Sequence, residues 1–347
     1  MPMLTSLTLA STRLCDRQLS KLVEYLPNLQ VLNLEGVIGV QELKIHHFNL
    51  KTCHLVVNTV VHNCQESITL VTPNLIALKV VSALKATLHV EAPMLSRFHL
   101  SIPALCNACE FHVKGFEYLK TLWLECNHIG SSLSRFPITR TLENLTLSSR
   151  NKPPRVDARG SQATIRKVFT IFPNVSSLCI KSNTWLELEA CLDPQGWEIL
   201  DGRKGLRTIR GYLMLVDLSL TFSCVARVVD QCVGLSEVSL LINRDVIYHR
   251  DDSGHVPKSF MSKCMARWPE LKWRWGIWGE HGKDYWITDP ITGQELIKCV
   301  RACNEVLTKT DSDNGEQVQL TRPSVDDEIL PLIDVIDLRN AIRDERS

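Results

Sequence analysis

Apolar residues recur along this chain in the pattern L-x-x-L-x-L, in which the last two apolar positions are separated by one residue. Alternation with a period of two indicates a short strand that buries one of its faces. Up to residue 142 the copies begin 20 to 25 residues apart, and two later intervals are wider. The copies begin at Leu4, Leu29, Leu50, Leu75, Leu95, Leu119, Leu142, Val175, Leu215 and Leu235. Repetition at this period predicts a structural unit that is repeated about ten times.

One copy cannot bury its apolar face alone, so neighbouring copies must stack and share a core. The period is that of leucine-rich repeats, which predicts a curved α/β solenoid with a parallel sheet on its concave side. We expect one buried column to contain Leu7, Leu32, Leu78, Leu122, Leu145, Leu178 and Leu218. Four asparagines stand three residues after the last apolar position of a copy, namely Asn58, Asn127, Asn183 and Asn243. Their amides are expected to bond the backbone where the chain leaves each strand.

The segments between these strands predict a convex side that mixes helices with short strands. Helical spacing of apolar residues predicts helices at Asp16 to Leu26, Ala163 to Phe172, Val225 to Val233 and Lys258 to Trp268. Between about residues 40 and 118 this spacing disappears, and short strands such as Ile68 to Leu70 and Leu88 to Val90 replace the helices. A proline often precedes the next repeat strand, where it ends the preceding element.

Five of the eight tryptophans lie between Trp268 and Trp286. Large aromatic side chains can seal one end of a stacked core, and the alternative at the same place is a peptide-binding pocket. We predict that residues 1–290 form the repeat domain, with a tryptophan-rich cap at about residues 268–290. Residues 291–347 are predicted to be an extension, helical from Ile291 to Leu307 and disordered from Thr308 to Pro323. The basic segment Ser149 to Gln162 predicts a surface loop or, alternatively, a docking loop.

The amino-acid composition limits the classes of function that we expect for this chain. The 347 residues include 39 basic and 38 acidic side chains, and a net charge of +1 gives no electrostatic footprint for nucleic acid or an anionic membrane. No apolar run reaches the roughly 20 residues of a spanning helix, and charges interrupt any secretory signal, so we expect a cytoplasmic or nuclear protein. Common catalytic and phosphate-binding motifs are missing, and the pair Cys106 and Cys109 lacks the second pair of a structural zinc site. We therefore expect no enzyme, no metal and no cofactor.

Two features of the chain resemble plant F-box/leucine-rich-repeat proteins. The strand openings Thr72-Pro73-Asn74-Leu75 and Ala92-Pro93-Met94-Leu95, with strands on both sides of the repeat, look like the repeat region of that family. The run from Lys272 to Glu280, followed by Asp284, Trp286 and Asp289, is similar to the C-terminal end of one subfamily. The resemblance covers roughly residues 1–290. It implies a protein-interaction module whose repeats hold a protein substrate for ubiquitination, while an N-terminal F-box docks a Skp-type adaptor on a cullin scaffold.

The beginning of the chain departs from that family pattern. Leu4 already opens a repeat strand, so we expect the helical F-box to be absent from this chain. One interpretation is the substrate-recognition region of an SCF-type ubiquitin ligase subunit that lacks its F-box. The other is an F-box-less scaffold, or a competitor for the same substrates, outside ubiquitination. The Skp-type adaptor and cullin are expected partners only if an F-box exists upstream.

The residue between the second and third leucines of each copy points away from the core, and stacking aligns these residues in a column. The predicted column contains Thr8, Asn33, His54, Lys79, His99, Trp123, Thr146, Cys179, Ser219 and Ser239. Residues two places away extend this surface. The predicted partner-binding residues on the concave face are Asn33, Glu35, His54, Lys79, Arg97, His99, Trp123, Glu125 and Lys181.

Two alternatives qualify this predicted surface. An exposed Trp123 among polar neighbours is typical of an interface hot spot, but it equally fits a cross-strand pair with His99 or Thr146. A third interpretation within the resembled family is a small-molecule co-receptor, since F-box hormone receptors bind anionic ligands with clustered basic residues on this surface. The cations predicted on this face, Lys79, Arg97 and Lys181, are too far apart in the repeat order to form one pocket.

Overall fold

A computed structural model describes residues 3–40, 42–57, 66–82, 86–102, 116–127, 129–150, 165–190, 205–245, 255–279 and 284–287. The chain divides into two compact units. The N-terminal unit contains the strands up to residue 143, and the C-terminal unit contains the strands that follow. Each unit is α/β, with a mostly parallel sheet and few helices, as leucine-rich repeats predict. The solenoid itself and its curvature stay predictions.

The N-terminal unit contains two parallel sheets, whose strands alternate along part of the chain. The larger sheet contains β1 (Ser6–Ala10), β2 (Val31–Val37), β4 (Thr52–Val57), β6 (Ala77–Ser82), β8 (Arg97–Ser101) and β9 (Thr121–Cys126), in that order. The smaller sheet contains β3 (Glu42–His46), β5 (Glu66–Val71) and β7 (Ala86–Glu91). The prediction that short strands replace helices in this part of the chain is therefore confirmed for the described residues.

The C-terminal unit contains one six-stranded arrangement. Its strands are β10 (Asn144–Ser149), β11 (Ser177–Ile180), β12 (Thr208–Leu213), β13 (Glu237–Asn243), β14 (Lys272–Trp278) and β15 (Tyr285–Ile287), in that order. The first five pair in parallel, and β15 folds back antiparallel onto β14. Between the strands of a parallel sheet the chain must cross over, and in this unit a helix lies between each two successive parallel strands.

Six helices are described over their whole length. They are α1 (Asp16–Glu24), α2 (Ile129–Leu133), α3 (Ile165–Ile171), α4 (Ser182–Ala190), α5 (Leu218–Gln231) and α6 (His255–Arg267). The four predicted helices are confirmed as α1, α3, α5 and α6, although α5 begins seven residues earlier than its apolar pattern indicates. The sequence pattern did not predict α4, whose hydrophobic residues show little amphipathic periodicity because buried acidic side chains interrupt them.

The leucine columns predicted from the repeat are buried within each unit. In the N-terminal unit, Leu7 aligns with Leu32 and Leu78 aligns with Phe98, which aligns with Leu122. In the C-terminal unit, Leu145 aligns with Leu178. The six predicted leucines of these strands are at most 4% exposed. Burial of such side chains contributes roughly 1.5–3 kcal/mol each, so the columns are the main stabilising feature of both sheets.

The prediction for Leu218 and Ser219 is wrong, because these residues begin helix α5 and not a strand. The carboxylate of Asp217 accepts hydrogen bonds from the backbone N–H groups of Ser219 and Leu220, and so caps the helix. The strand of this repeat is β12, in which Ile209 aligns with Leu178 on one side and with Val238 on the other. The repeat therefore begins at Leu206.

A glycine replaces the third leucine of this repeat because a neighbouring tryptophan fills its space. The Cβ of any other residue at Gly211 would lie 3.0 Å from Leu240 Cδ2 and 3.1 Å from Trp185 Cζ3. Trp185 is 1% exposed, and its indole N–H donates to Glu189 Oε1 at 2.9 Å. Helix α4 thus places a large side chain where the repeat pattern expects a leucine from the strand.

A tight turn opens the repeat strands and repeats its hydrogen bonds along the chain. The N–H of Leu29 donates to Leu26 O at 3.0 Å, and the N–H of Leu75 donates to Thr72 O at 3.1 Å, each across a Pro-Asn pair. Side chains connect successive turns, since the amide of Asn74 donates to Phe48 O at 3.0 Å. Proline fixes φ at the turn and asparagine bonds its neighbour, so both residue types are locally favoured there.

Two of the four predicted asparagines bond the backbone at a strand end. The Asn183 amide donates to Ser149 O at 3.1 Å, and Asn243 Oδ1 accepts from the N–H of Asp245 at 2.8 Å. The role predicted for these two asparagines is therefore confirmed. Asn58 lies outside the described residues.

The five C-terminal tryptophans pack around strand β14. Trp273 and Trp275 stack with ring centroids 5.4 Å apart, and Trp268 donates from Nε1 to Asp230 Oδ1 at 2.7 Å. Trp278 donates from Nε1 to Leu213 O at 3.2 Å. This packing is what a cap requires, and the capping role stays a prediction.

Several predicted features fall on residues that the structure does not describe. They are the extension at residues 291–347, the pair Cys106 and Cys109, and most of the loop from Ser149 to Gln162. In the described ranges, no helix combines the length and the apolar character that crossing a membrane would require.

We predict that Gly211→Ala lowers the free energy of unfolding by about 1–2 kcal/mol, because the new methyl group overpacks against the buried Trp185. The gain from restricting the unfolded chain is smaller, at about 0.4–1 kcal/mol. Gly279→Ala is the matched control, since its Cβ would meet Arg244 only at 3.6 Å. Urea unfolding of both variants measures the effect, and equal stability of the two would contradict this account of Gly211.

Candidate functional site

Eight of the nine predicted partner-binding residues lie on one face of the larger sheet in the N-terminal unit. This N-terminal face is the side opposite the buried leucines, and it is formed by Asn33, Glu35, His54, Lys79, Arg97, His99, Trp123 and Glu125. In register, Asn33 is followed by His54, Lys79, His99 and Trp123 on successive strands. Strand alternation places them there, because their neighbours in sequence are the buried leucines.

Trp123 and His99 form a cross-strand pair on this face. Their rings stack with centroids 4.8 Å apart and an angle of 19° between the planes. Trp123 is partly buried, so its ring is shared between packing and solvent. Of the two interpretations of Trp123, the structure therefore supports packing on His99, and a role as a binding anchor stays a prediction.

His54 is the most strongly perturbed titratable group of the N-terminal face. Its imidazole Nε2 is buried and has no hydrogen-bond partner among the described residues, while Nδ1 lies 4.0 Å from Glu35 Oε1. Burial of the ring, followed by the adjacent positive charge of Lys79, lowers the pKa of His54 to about 4. The ring is therefore neutral at physiological pH, and this part of the face contributes no positive charge of its own besides Lys79.

The ninth predicted residue, Lys181, belongs to the C-terminal unit, where the outward side chains of the strands form a separate face. The outward column there is Thr146, Cys179, Arg210, Ser239 and Arg274, on five successive strands. Arg210 occupies the place that the sequence pattern assigned to Ser219. We call the outward side of β10 to β14, together with β15, the C-terminal face.

On the C-terminal face, three cationic side chains contact aromatic rings. The guanidinium carbons of Arg210 and Arg274 lie 5.3 and 4.5 Å from the centroid of the Trp286 ring. The Lys181 ammonium lies 3.8 Å from the centroid of the Tyr212 ring. Cation–π contacts at such distances stabilise each pair by about 0.5–1 kcal/mol at exposed sites. Three cations are thus gathered within one aromatic cluster.

Strand β15 positions Trp286 on this face. The antiparallel pairing aligns Trp286 with Gly276, whose missing side chain leaves room for the approach. A Cβ at Gly276 would lie 2.7 Å from Tyr285 O and 3.1 Å from Trp286 Cε3. Below the ring, Tyr212, Leu241 and Trp278 form a buried cluster against which Trp286 packs. The ring is therefore held by this buried cluster and also contacts the two arginines.

Burial controls the chemistry of the remaining polar groups. The Tyr212 hydroxyl donates to Asp284 Oδ2 at 2.6 Å, and burial, this hydrogen bond and the Asp284 charge all raise the pKa of Tyr212. Burial raises the pKa of the Cys179 thiol, although Lys181 and Arg210 oppose the shift. The thiol is therefore protonated and a poor nucleophile. In the described ranges no group of three histidine, cysteine or acidic side chains is placed to hold a metal ion.

The sequence pattern missed most of this cluster. The pattern did not place Arg210 and Tyr212 on a strand, because Gly211 stands where the repeat has its third leucine. Trp286 reaches the face through the antiparallel pairing of β15 with β14. Of the cations predicted from sequence, Lys79 and Arg97 belong to the N-terminal unit and Lys181 to the C-terminal unit. Lys181, Arg210 and Arg274 contact rings of the same aromatic cluster. One sequence signal could have placed Arg274 on this face. Lys272, Arg274 and Gly276 alternate with apolar residues along β14, which puts the three residues on the same side of the strand.

Comparison with known proteins identifies one informative relative. No protein-family model matches the chain. The chain is 31% identical over 293 residues to F-box/LRR-repeat protein At4g29420 of Arabidopsis thaliana, and the match covers 83% of this chain. It covers 62% of the relative, so the chain spans less than two thirds of that protein's length. The resemblance that the repeats and the tryptophan-rich segment indicate is thereby confirmed.

We predict that His99 and Trp123 are energetically coupled by about 0.5–1.5 kcal/mol, as expected for a stacked aromatic pair. A double-mutant cycle of His99→Ala and Trp123→Ala, measured by urea unfolding, gives this value. The control cycle uses Arg97→Ala and Thr121→Ala, an aligned pair on the same two strands. Coupling no larger than in the control would mean that the stack adds no stability.

We also predict that stability falls as the pH is lowered from 6.5 towards 4, because the unfolded His54 binds a proton in this window and the folded one does not. The loss should be on the order of 1–3 kcal/mol, reduced by the partial exposure of the ring. His54→Gln should flatten this part of the pH profile, measured by urea unfolding at each pH. His46→Gln, which changes an exposed histidine on β3, is the control, and an equal effect of both variants would exclude His54 as the cause.

Proposed function

This chain is a relative of the plant F-box/LRR-repeat proteins, and from that premise we propose that it is the substrate-recognition region of an SCF-type ubiquitin ligase subunit. Its role is to bind a protein partner, not to catalyse a reaction. The F-box function, the adaptor and the cullin belong to this proposal. The place of action that we propose is the cytoplasm or the nucleus.

The main support for the proposal is that each unit has an outward face, the N-terminal face and the C-terminal face, on a sheet whose other side buries the leucines. The repeat leaves the outward positions unconstrained by packing, so polar, charged and aromatic residues can occupy them. A half-buried tryptophan on the N-terminal face and an arginine–tryptophan cluster on the C-terminal face are residue types that are enriched in protein interfaces. Rigid strands hold both groups, which reduces the conformational entropy that binding must overcome.

The test is affinity purification of the tagged full-length gene product from plant cells. A Skp-type adaptor and a cullin should co-purify with the wild type and equally with a variant that carries Trp123→Ala and Arg274→Ala. A protein whose level rises when the proteasome is inhibited should co-purify with the wild type and be depleted from the variant, because both substitutions remove outward side chains. The thermal midpoint of each purified protein checks the fold.

Other outcomes would contradict the proposal in different ways. Partners recovered without any adaptor, at levels that proteasome inhibition does not change, would favour a scaffold or a competitor outside ubiquitination. Recovery of the adaptor together with equal partner binding by both proteins would mean that the ligase role holds and that these outward residues are not the partner site.

A further inference from the structure

The acidic groups of the C-terminal face already have partners within the protein. Glu237 lies 3.1 Å from Lys272 Nζ and 3.7 Å from Arg274 Nη1, and these cations lower the pKa of its carboxyl group. Asp284 accepts the short hydrogen bond from Tyr212. Among the described residues of this face, cations outnumber carboxylates, since Lys181 and Arg210 add to the two cations that share Glu237.

Among the described residues, no carboxylate forms an ion pair with Arg210. Its side chain is exposed, and its guanidinium carbon lies 5.3 Å from the centroid of the Trp286 ring. Arg274 is 44% exposed, and its distance of 3.7 Å to Glu237 is longer than the 3.1 Å distance between Glu237 and Lys272. An exposed guanidinium that lacks a carboxylate is strongly attractive to one, because its donors match both oxygens.

Cation–π contacts with the Trp286 ring restrain both guanidinium groups, and a cation–π attraction by itself needs no hydrogen-bond donor. Trp286 is itself held by β15 and by the buried cluster of Tyr212, Leu241 and Trp278. The two arginines therefore lose less rotamer freedom on binding than ordinary surface arginines would.

We propose that the C-terminal face binds an acidic segment of the protein partner, with Arg210 and Arg274 each contacting a carboxylate and Trp286 packing against an adjacent apolar side chain. The inference rests on the proposed function, since it names the chemistry of the partner for one of the two faces. Charge complementarity identifies the occupant. A protein segment fits better than nucleic acid, because the cations are few and confined around one aromatic cluster while the whole chain has a net charge of only +1.

Binding of a synthetic peptide to the full-length protein tests this inference. The probe is a fluorescein-labelled peptide with a run of Asp and Glu beside one leucine, and its counterpart replaces every acidic residue with Asn or Gln. Fluorescence anisotropy should give roughly tenfold tighter binding of the acidic peptide, with the difference shrinking as salt is raised. Equal binding of the two peptides would overturn the proposal.

Substitutions locate the binding on the structure. Arg210→Gln and Arg274→Gln should each weaken the acidic peptide by roughly threefold to tenfold, and Arg210→Lys should weaken it less than Arg210→Gln, since it keeps the charge but loses the fork of donors. Arg17→Gln, which changes an exposed arginine on helix α1 of the N-terminal unit, is the matched control and should bind like the wild type. Equal loss in Arg17→Gln, or no loss in the Arg210 and Arg274 variants, would overturn the assignment to this face.

Two further outcomes separate the alternatives. If citrate abolishes peptide binding when it is present only at the concentration of the protein, the site binds a small anion and the proposal is wrong. Adaptor co-purification from plant cells is independent of the peptide assay. If the acidic peptide does not bind but the adaptor still co-purifies, only this inference is wrong. If the peptide binds but no adaptor co-purifies, the ligase role is wrong and the recognition of acidic segments is supported.

Discussion

Each repeat strand of this protein can bury its apolar face only because the strands beside it keep the same register. Leu7, Leu32 and the residues aligned with them form continuous columns, and a shift of one residue would turn every leucine of a strand to solvent. The turn that opens the strands maintains this register, because its backbone and asparagine hydrogen bonds link one repeat to the preceding one. Burial and turn geometry therefore act together, and the remaining features of each sheet depend on them.

The same constraint leaves the outward positions chemically unrestricted, and the two units use them differently. The N-terminal face carries a stacked His99–Trp123 pair and a neutral, partly buried His54, and its two acidic and two basic residues balance in charge. On the C-terminal face, three cations surround an aromatic cluster that is supported from below by buried side chains. The two faces therefore differ in the chemistry that they can recognise, because aromatic contacts and charge pairs recognise different side chains.

Departures from the repeat pattern coincide with the cluster on the C-terminal face. Helix α4 inserts Trp185 beside Gly211, which keeps β12 in register and so places Arg210 and Tyr212 outward. Gly276 lets β15 approach closely enough for Trp286 to reach the same face. In both places a glycine removes a side chain from a strand so that an aromatic ring from another element can occupy the space. Such positions weaken the repeat signal, and they also bring together residues that no linear motif connects.

The sequence by itself determined the strands of nearly every repeat, the buried leucine columns, four of the helices and the relationship to plant F-box/LRR-repeat proteins, because these depend on local periodicity and on motifs of adjacent residues. It also placed eight candidate residues on one face, since alternation along a strand fixes which side a residue occupies. Tertiary structure alone decided that His99 stacks on Trp123 and that β12 begins after Leu206, not at Leu215. It alone joined Arg210, Arg274 and Trp286, because contacts between aligned strands and an antiparallel return depend on register and on the space that two glycines leave open.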